Sequence, residues 1–217
     1  MGLKNKIWVF GDSYSTEFKG SEWSEKFVSY LGEQPKIFIE YLADKLNLDY
    51  ENHSVGGADN YEIFERFCKN APFINEDDIV IFGWSSIPRF RLATVDGKWL
   101  SMVPHHDNYL GDFEDISKQT VNEIMANRMS KNYAEEVNNW ITLIDLQKFK
   151  SIHWTPFQHY DGVKFKPVRI LTPETITQTT NGDIVDGHFS NVGHKQLFNI
   201  ILKLINDGVK LDEETDL

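Results

Sequence analysis

Residues 78–82 read Asp-Ile-Val-Ile-Phe and are closed by Gly83. A run this short, β-branched and apolar, ended by a turn residue, is a strand buried on both faces. Ile7–Phe10 has the same character and is closed by Gly11, and Ser151–Thr155 is stopped by Pro156. Asp49–Asn52 supplies a further strand, followed by Gly56 and Gly57. Helical spacing fills the intervals. Pro35 precedes Ile37, Phe38, Tyr41, Leu42 and Leu46 on one face, and Tyr61, Ile63, Phe64 and Phe67 repeat the pattern up to Pro72. Longer helices are predicted over Val121–Phe149 and Asn191–Asn206.

Strands alternating with helices predict an α/β chain with a mostly parallel sheet and helices on both of its faces. At 217 residues the chain is long enough for one well-buried core and short for two. A single domain over 1–217 is therefore expected, with irregular rim insertions at about 85–118 and 156–185. Ligands of such sheets bind at the carboxyl ends of the strands. Gly-Asp-Ser, Gly-Gly and Gly-Trp-Ser follow three of the strands, which puts all three on one rim.

Charge narrows the function classes. With 22 basic and 33 acidic side chains the net charge is −11, which repels phosphate backbones and argues against nucleic acid as a partner. Cys68 is the sole cysteine, so no internal disulfide forms, and a small buried hydrophobe is its expected role. Ile7–Phe10 is too short for a signal-peptide core or a membrane span, so a cytoplasmic protein with no membrane partner is expected. A protein released by phage assembly or lysis has the same profile, which leaves a virion location open. No Gly-x-Gly-x-x-Gly or phosphate-binding Lys loop is present, which counts against a flavodoxin-like nucleotide or flavin carrier. No metal or organic cofactor is implied. His105-His106-Asp107 has no further ligand at matching spacing and reads as solvated loop.

Two polar segments carry the chemistry. Gly11-Asp12-Ser13-Tyr14 follows the first strand. Asp186-Gly187-His188-Phe189-Ser190-Asn191 precedes the last helix, which Ser190 or Asn191 caps on the plainer reading. A serine after the first strand and an Asp/His pair before the last helix can meet at the strand ends. They supply a nucleophile, a base and an orienting carboxylate.

With these segments the chain resembles the SGNH (GDSL-like) hydrolases over nearly its whole length. Gly11-Asp12-Ser13-Tyr14 matches the first block, and Asn52-His53-Ser54-Val55-Gly56-Gly57 the second. The third block, usually Gly-x-Asn-Asp, reads Gly83-Trp84-Ser85-Ser86. The last, usually Asp-x-x-His, reads Asp186-x-His188, followed by Asn191 and Gly193-His194. The resemblance implies a three-layer α/β/α, flavodoxin-like SGNH fold. It implies Ser13 as nucleophile, His188 as base and Asp186 as its orienting partner. The oxyanion would meet the backbone N–H groups of Ser13 and Gly57 and one side-chain donor. The third block lacks the family's asparagine, so Ser85 stands as the substitute donor and Asn60 as another group near the same space. Gly187 allows the shortened Asp–His spacing. Gly-Trp-Ser-Ser with arginines soon after is also similar to SGNH proteins encoded by tailed phages.

Arg89 and Arg91 either bind a carboxylate or sulfate on a substrate or pair with the surplus acids. Trp84, Phe90, Trp99 and Tyr109 either stack on sugar faces or pack irregular loops. Trp84, Arg89 and Arg91 are taken as candidate substrate-binding residues. The leading expectation is a serine esterase that removes a small acyl group, such as acetyl from a glycan, through an acyl-enzyme. A small-molecule or glycan ester is the expected partner, and the oligomeric state is left open. The alternative is a catalytically weakened SGNH-like glycan-binding or scaffold protein.

Overall fold

The computed structural model describes residues 5–19, 32–87, 89–93, 99–102, 131–157, 163–168, 175–178 and 184–207, with isolated positions 25, 28, 29, 123, 126 and 171. Along the chain these hold β1 (Lys6–Gly11), α1 (Phe38–Leu46), β2 (Asp49–Asn52), α2 (Asn60–Asn70), a 3-10 turn (Ala71–Phe73) and β3 (Ile79–Gly83). Next come β4 (Phe90–Ala93), β5 (Trp99–Met102), α3 (Lys131–Asp145), β6 (Lys150–Thr155), β7 (Lys166–Pro167), β8 (Ile176–Gln178), β9 (Ile184–Phe189) and α4 (Asn191–Asp207).

Among the described residues, five strands form one sheet in the order β2-β1-β3-β6-β7, and every pairing in it is parallel. Alternation along the strands divides the core in two. Ile7, Val9, Ile81 and Ile152 turn to one face, against Phe38 and Leu42 of α1 and Leu197 and Ile201 of α4. Trp8, Phe10, Val80 and Phe82 turn to the other, against Ile63 and Phe67 of α2 and Val137, Trp140 and Ile144 of α3. The result is a three-layer α/β/α arrangement. Each fully buried side chain of this size contributes about 1.5–3 kcal/mol.

Helix ends follow local chemistry. Asp59 caps α2 by accepting the Glu62 N–H over 2.8 Å, and Asn47 ends α1 in the left-handed region with φ 52°. Ser190 begins α4, its hydroxyl accepting from Gly193 N–H and donating to the Thr175 carbonyl.

Three features differ from the sequence reading. The insertion after β3 is not wholly irregular, because β4 and β5 pair as an antiparallel hairpin. The Asp186–His188 segment is a strand rather than a loop, since β9 pairs antiparallel with β8. Cys68 lies on the exposed side of α2, where the helical period carries it away from buried Ile63 and Phe67. Among the described residues no helix is long and apolar enough to cross a membrane.

Candidate active site

β1 and β3 are neighbours, and the chain leaves β1 toward β2 on one side but leaves β3 toward β6 on the other. Such a switch point opens a crevice at the carboxyl ends of the strands. Gly11 and Gly83 are register partners there, and Gly83 pairs onward with Trp154.

The turn after β1 is built by Asp12. Its carbonyl accepts from Ser15 N–H and from the Thr16 hydroxyl, each at 3.0 Å, and its carboxylate accepts from Tyr14 N–H at 3.1 Å. These bonds fold the chain back on itself and leave half-buried Ser13 in the bend. Buried Ser15 packs into the notch between two glycines. A Cβ on Gly11 would lie 2.6 Å from the Ser15 Oγ, and one on Gly83 would lie 2.5 Å from it.

The second segment is tied to the first. His53 N–H donates to Val9 O at 2.8 Å and Val55 N–H to Gly11 O at 3.0 Å, which prolongs the sheet beyond β2. The Asn52 amide donates to Ser15 O at 2.7 Å and accepts from Ser54 N–H. Gly57 then turns with φ 80°, a conformation that favours glycine, and α2 starts three residues later. The Ser13 and Gly57 turns are thus neighbours on one rim.

The third segment joins them from below. Ser85 N–H donates to Asn60 Oδ1 at 2.7 Å, and Asn60 Nδ2 donates to Ser85 O at 3.1 Å. The Ser85 hydroxyl donates to Asp12 Oδ2 at 2.9 Å, so its single proton is engaged there. Arg89 Nη1 lies 3.3 Å from that same carboxylate oxygen and 3.3 Å from Ala58 O. Asp12 is 1% exposed. Burial pushes its carboxyl above the usual range, opposed by Arg89, the Tyr14 N–H, the Ser85 hydroxyl and the charge His188 carries when protonated.

His188 stands near the end of β9, half-buried. Its ring lies 5.0 Å from the ring of Tyr14, the residue after Ser13, and Tyr14 also meets Phe157 and Phe189 edge-on. β9 is irregular at this point. Thr177 faces Asp186 while Ile176 faces Phe189, so Gly187 and His188 are extra residues of a bulge. Asp186 has its backbone in β9, opposite Thr177. His194 is fully buried inside α4 between Phe18 and Phe189, and burial lowers its pKa to about 3.

The candidate substrate-binding residues are not brought together at the rim. Trp84 has no exposed surface. It continues the alternation of Val80 and Phe82 into the core, stacks between Phe82 and Phe165, and donates its indole N–H to His153 Nδ1 at 3.0 Å. Arg91 lies over α2, with Asp59 at 3.3 Å, Glu62 at 3.2 Å and Glu65 at 3.8 Å. Arg89 faces inward to Asp12. Both arginines therefore pair with acids, the second of the two roles open to them. Phe90 is buried as well, whereas Tyr109 and His105-His106-Asp107 lie outside the described residues. Among the described residues no group of three His, Cys, Asp or Glu side chains is placed to hold a metal ion. The sequence offers Asp12 at most as a helix cap at the strand-to-helix turn, not as the centre of a buried polar cluster. The signal for one was a carboxylate directly after a fully apolar strand, where burial demands partners.

No protein-family model matches the chain, and no curated protein matches it. Among solved structures, the chain is similar to a lipase/acylhydrolase from Enterococcus faecalis, with 16% identity, 96% of this chain and 99% of the other covered, and a TM-score of 0.39. It is also similar to phospholipase A1 from Streptomyces albidoflavus NA297, with 10% identity, 95% and 78% covered, and a TM-score of 0.36. Likenesses of this strength identify neither an activity nor site residues.

Proposed function

We propose that the chain is a serine ester hydrolase with Ser13 as nucleophile, His188 as general base and Asp186 as the carboxylate that orients the imidazole. The observation that carries the reading is the contact of Tyr14 with His188 across 5.0 Å, which joins the turn after the first strand to the end of the last. Ser13 Oγ attacks the acyl carbon while His188 accepts its proton. The C–O bond to the alcohol then breaks and the alcohol leaves with that proton. Water, deprotonated by the same imidazole, releases the acid from Ser13. The backbone N–H groups of Ser13 and Gly57 receive the oxyanion in both steps.

A small acyl group such as acetyl is the class proposed for the substrate, with O-acetylated glycans the first esters to screen. Two of the aromatic side chains that suggested a sugar-stacking face, Trp84 and Phe90, belong to the core. The glycan part of the proposal therefore rests on Trp99 and Tyr109, the other two aromatic residues of that insertion.

One observation favours a second reading, a binding module with weakened catalysis. The Ser85 hydroxyl already donates to Asp12, so it has no proton left for an oxyanion.

Hydrolysis of p-nitrophenyl acetate by wild type, Ser13→Ala and His188→Ala separates the two. Turnover that is lost in both folded variants supports the hydrolase. Saturable glycan binding with no Ser13-dependent turnover supports the module.

A further inference from the structure

Five buried groups close a ring beneath the candidate site. From Asp12 it passes to Arg89 Nη1 and then to Ala58 O, each step 3.3 Å long. It follows the chain from Ala58 to Asn60, crosses to the Ser85 backbone through two hydrogen bonds, and returns through the Ser85 hydroxyl to Asp12. Asp12 is adjacent in sequence to Ser13, and Ala58 to Gly57. One guanidinium nitrogen therefore straddles the two turns that carry the proposed oxyanion donors.

Resting on the Ser13 reading, we propose that Arg89 and Ser85 are positioning residues, which fix the spacing of the Ser13 and Gly57 N–H groups in place of a side-chain amide donor.

Three lines of chemistry support this. Preorganised backbone donors stabilise a developing charge only when they need not move to meet it. A buried ring that bonds both donor-bearing turns restricts their movement relative to each other. Next, an isolated carboxylate at Asp12, one residue from Ser13, would oppose negative charge on the substrate oxygen, and Arg89 neutralises it at contact distance. Finally, a buried ion pair is a weak source of stability compared with apolar packing. Its position under the two turns is explained by geometry better than by stability. Asn60, with Oδ1 and Nδ2 both bonded to the Ser85 backbone, completes the ring.

The test uses the full chain with wild type, Arg89→Met, Arg89→Lys, Ser85→Ala and Asp12→Asn/Arg89→Met, and Ser13→Ala as the blank. kcat and KM are measured on p-nitrophenyl acetate, together with inhibition by a trifluoromethyl ketone, whose serine adduct carries an oxyanion. Arg89→Met is expected to lower kcat about 10²-fold with KM little changed, and to weaken the ketone by a similar factor. Arg89→Lys and the double variant, which restore the charge or remove the carboxylate it neutralised, should each recover part of the loss. Ser85→Ala, the milder change, should lose kcat in the same direction. The folded fraction is followed by circular dichroism.

If wild type shows Ser13-dependent turnover while folded Arg89→Met and Ser85→Ala keep wild-type kcat and ketone affinity, the positioning role is wrong and the hydrolase reading stands. The role is equally overturned if activity falls only in step with the folded fraction. Should Arg89→Met not fold, Arg89→Lys and Ser85→Ala decide by the same criteria. If wild type and Ser13→Ala are indistinguishable, both ideas are overturned together.

Discussion

Trp84 donates its indole N–H to His153 Nδ1 across 3.0 Å, and the second imidazole nitrogen of His153 meets Asp145 Oδ1 at the same distance. With Nδ1 accepting, the ring proton sits on Nε2 and is donated to Asp145. Burial opposes ionisation of Asp145, but the bonds from His153 and Ser151 prevail and hold its carboxyl below the usual range. A third-block residue that sequence alone offers to a substrate is thereby committed to the core. Trp84→Phe should destabilise the fold by about 1–3 kcal/mol in urea, because it leaves the buried His153 nitrogen unpaired. KM on p-nitrophenyl acetate should stay within about twofold, which follows from the burial of the ring. A raised KM with unchanged stability would put the indole at the substrate instead.

His194 sets an acid limit. It is fully buried, with neither ring nitrogen hydrogen-bonded among the described residues, and its pKa falls to about 3 from the ordinary 6.5. The unfolded chain therefore binds this proton more readily between those values. Stability from the neutral, buried ring is whole above about pH 6.5 and is lost as the pH falls toward 3. The loss approaches about 1.4 kcal/mol per pH unit. Urea unfolding from pH 7 to pH 4 should show this slope in wild type and a shallower one in His194→Leu. Equal slopes would contradict the assignment.

Gly83 has no room for a methyl group. A Cβ there would lie 2.5 Å from the Ser15 Oγ and 3.0 Å from the Trp154 ring. Gly83→Ala should cost about 1–3 kcal/mol through overpacking. The Ser15 hydroxyl has no hydrogen-bond partner among the described residues, so Ser15→Ala alone should be close to neutral. In the double variant it should recover most of the loss, because it removes the shorter contact. Simple additivity in thermal melts would argue against the clash.

Arg91→Gln should leave kcat and KM unchanged and lower stability by about 1–3 kcal/mol, since its charge is spent on Asp59, Glu62 and Glu65. Steady-state kinetics beside a urea titration distinguishes this from substrate binding.

The central strands were legible because burial on both faces leaves runs such as Ile79–Phe82 with no polar position, and a glycine or proline marks each end. Parallel pairing was legible in the alternation of strands with helices, whereas the order β2-β1-β3-β6 is set by which way each crossover runs and is read from the structure. β9 was not legible. Ile-Val-Asp-Gly-His-Phe carries a glycine and two ionisable groups, and its partner β8 is only three residues long, so bulged pairing overrode local propensity. α3 stops at Asp145, short of Phe149, and the Asp145 carboxylate bonds to Ser151 and His153 of β6. At the site, the Gly-Asp-Ser turn could be located from its place after β1, but the direction of Arg89 could not. Nothing in the spacing from Asp12 to Arg89 says that the two will meet. Trp84 left a usable sign, since it extends the period-two series of Val80 and Phe82 toward the buried face.

The central claim is that Ser13 is a nucleophile activated by His188. Labelling with a fluorophosphonate probe, followed by mass-spectrometric mapping of the modified peptide, tests it most directly. One adduct on Ser13 in wild type, absent in Ser13→Ala and formed about 10³-fold or more slowly in folded His188→Ala, is the predicted result. An adduct on another residue, or none on Ser13 in folded wild type, would contradict it.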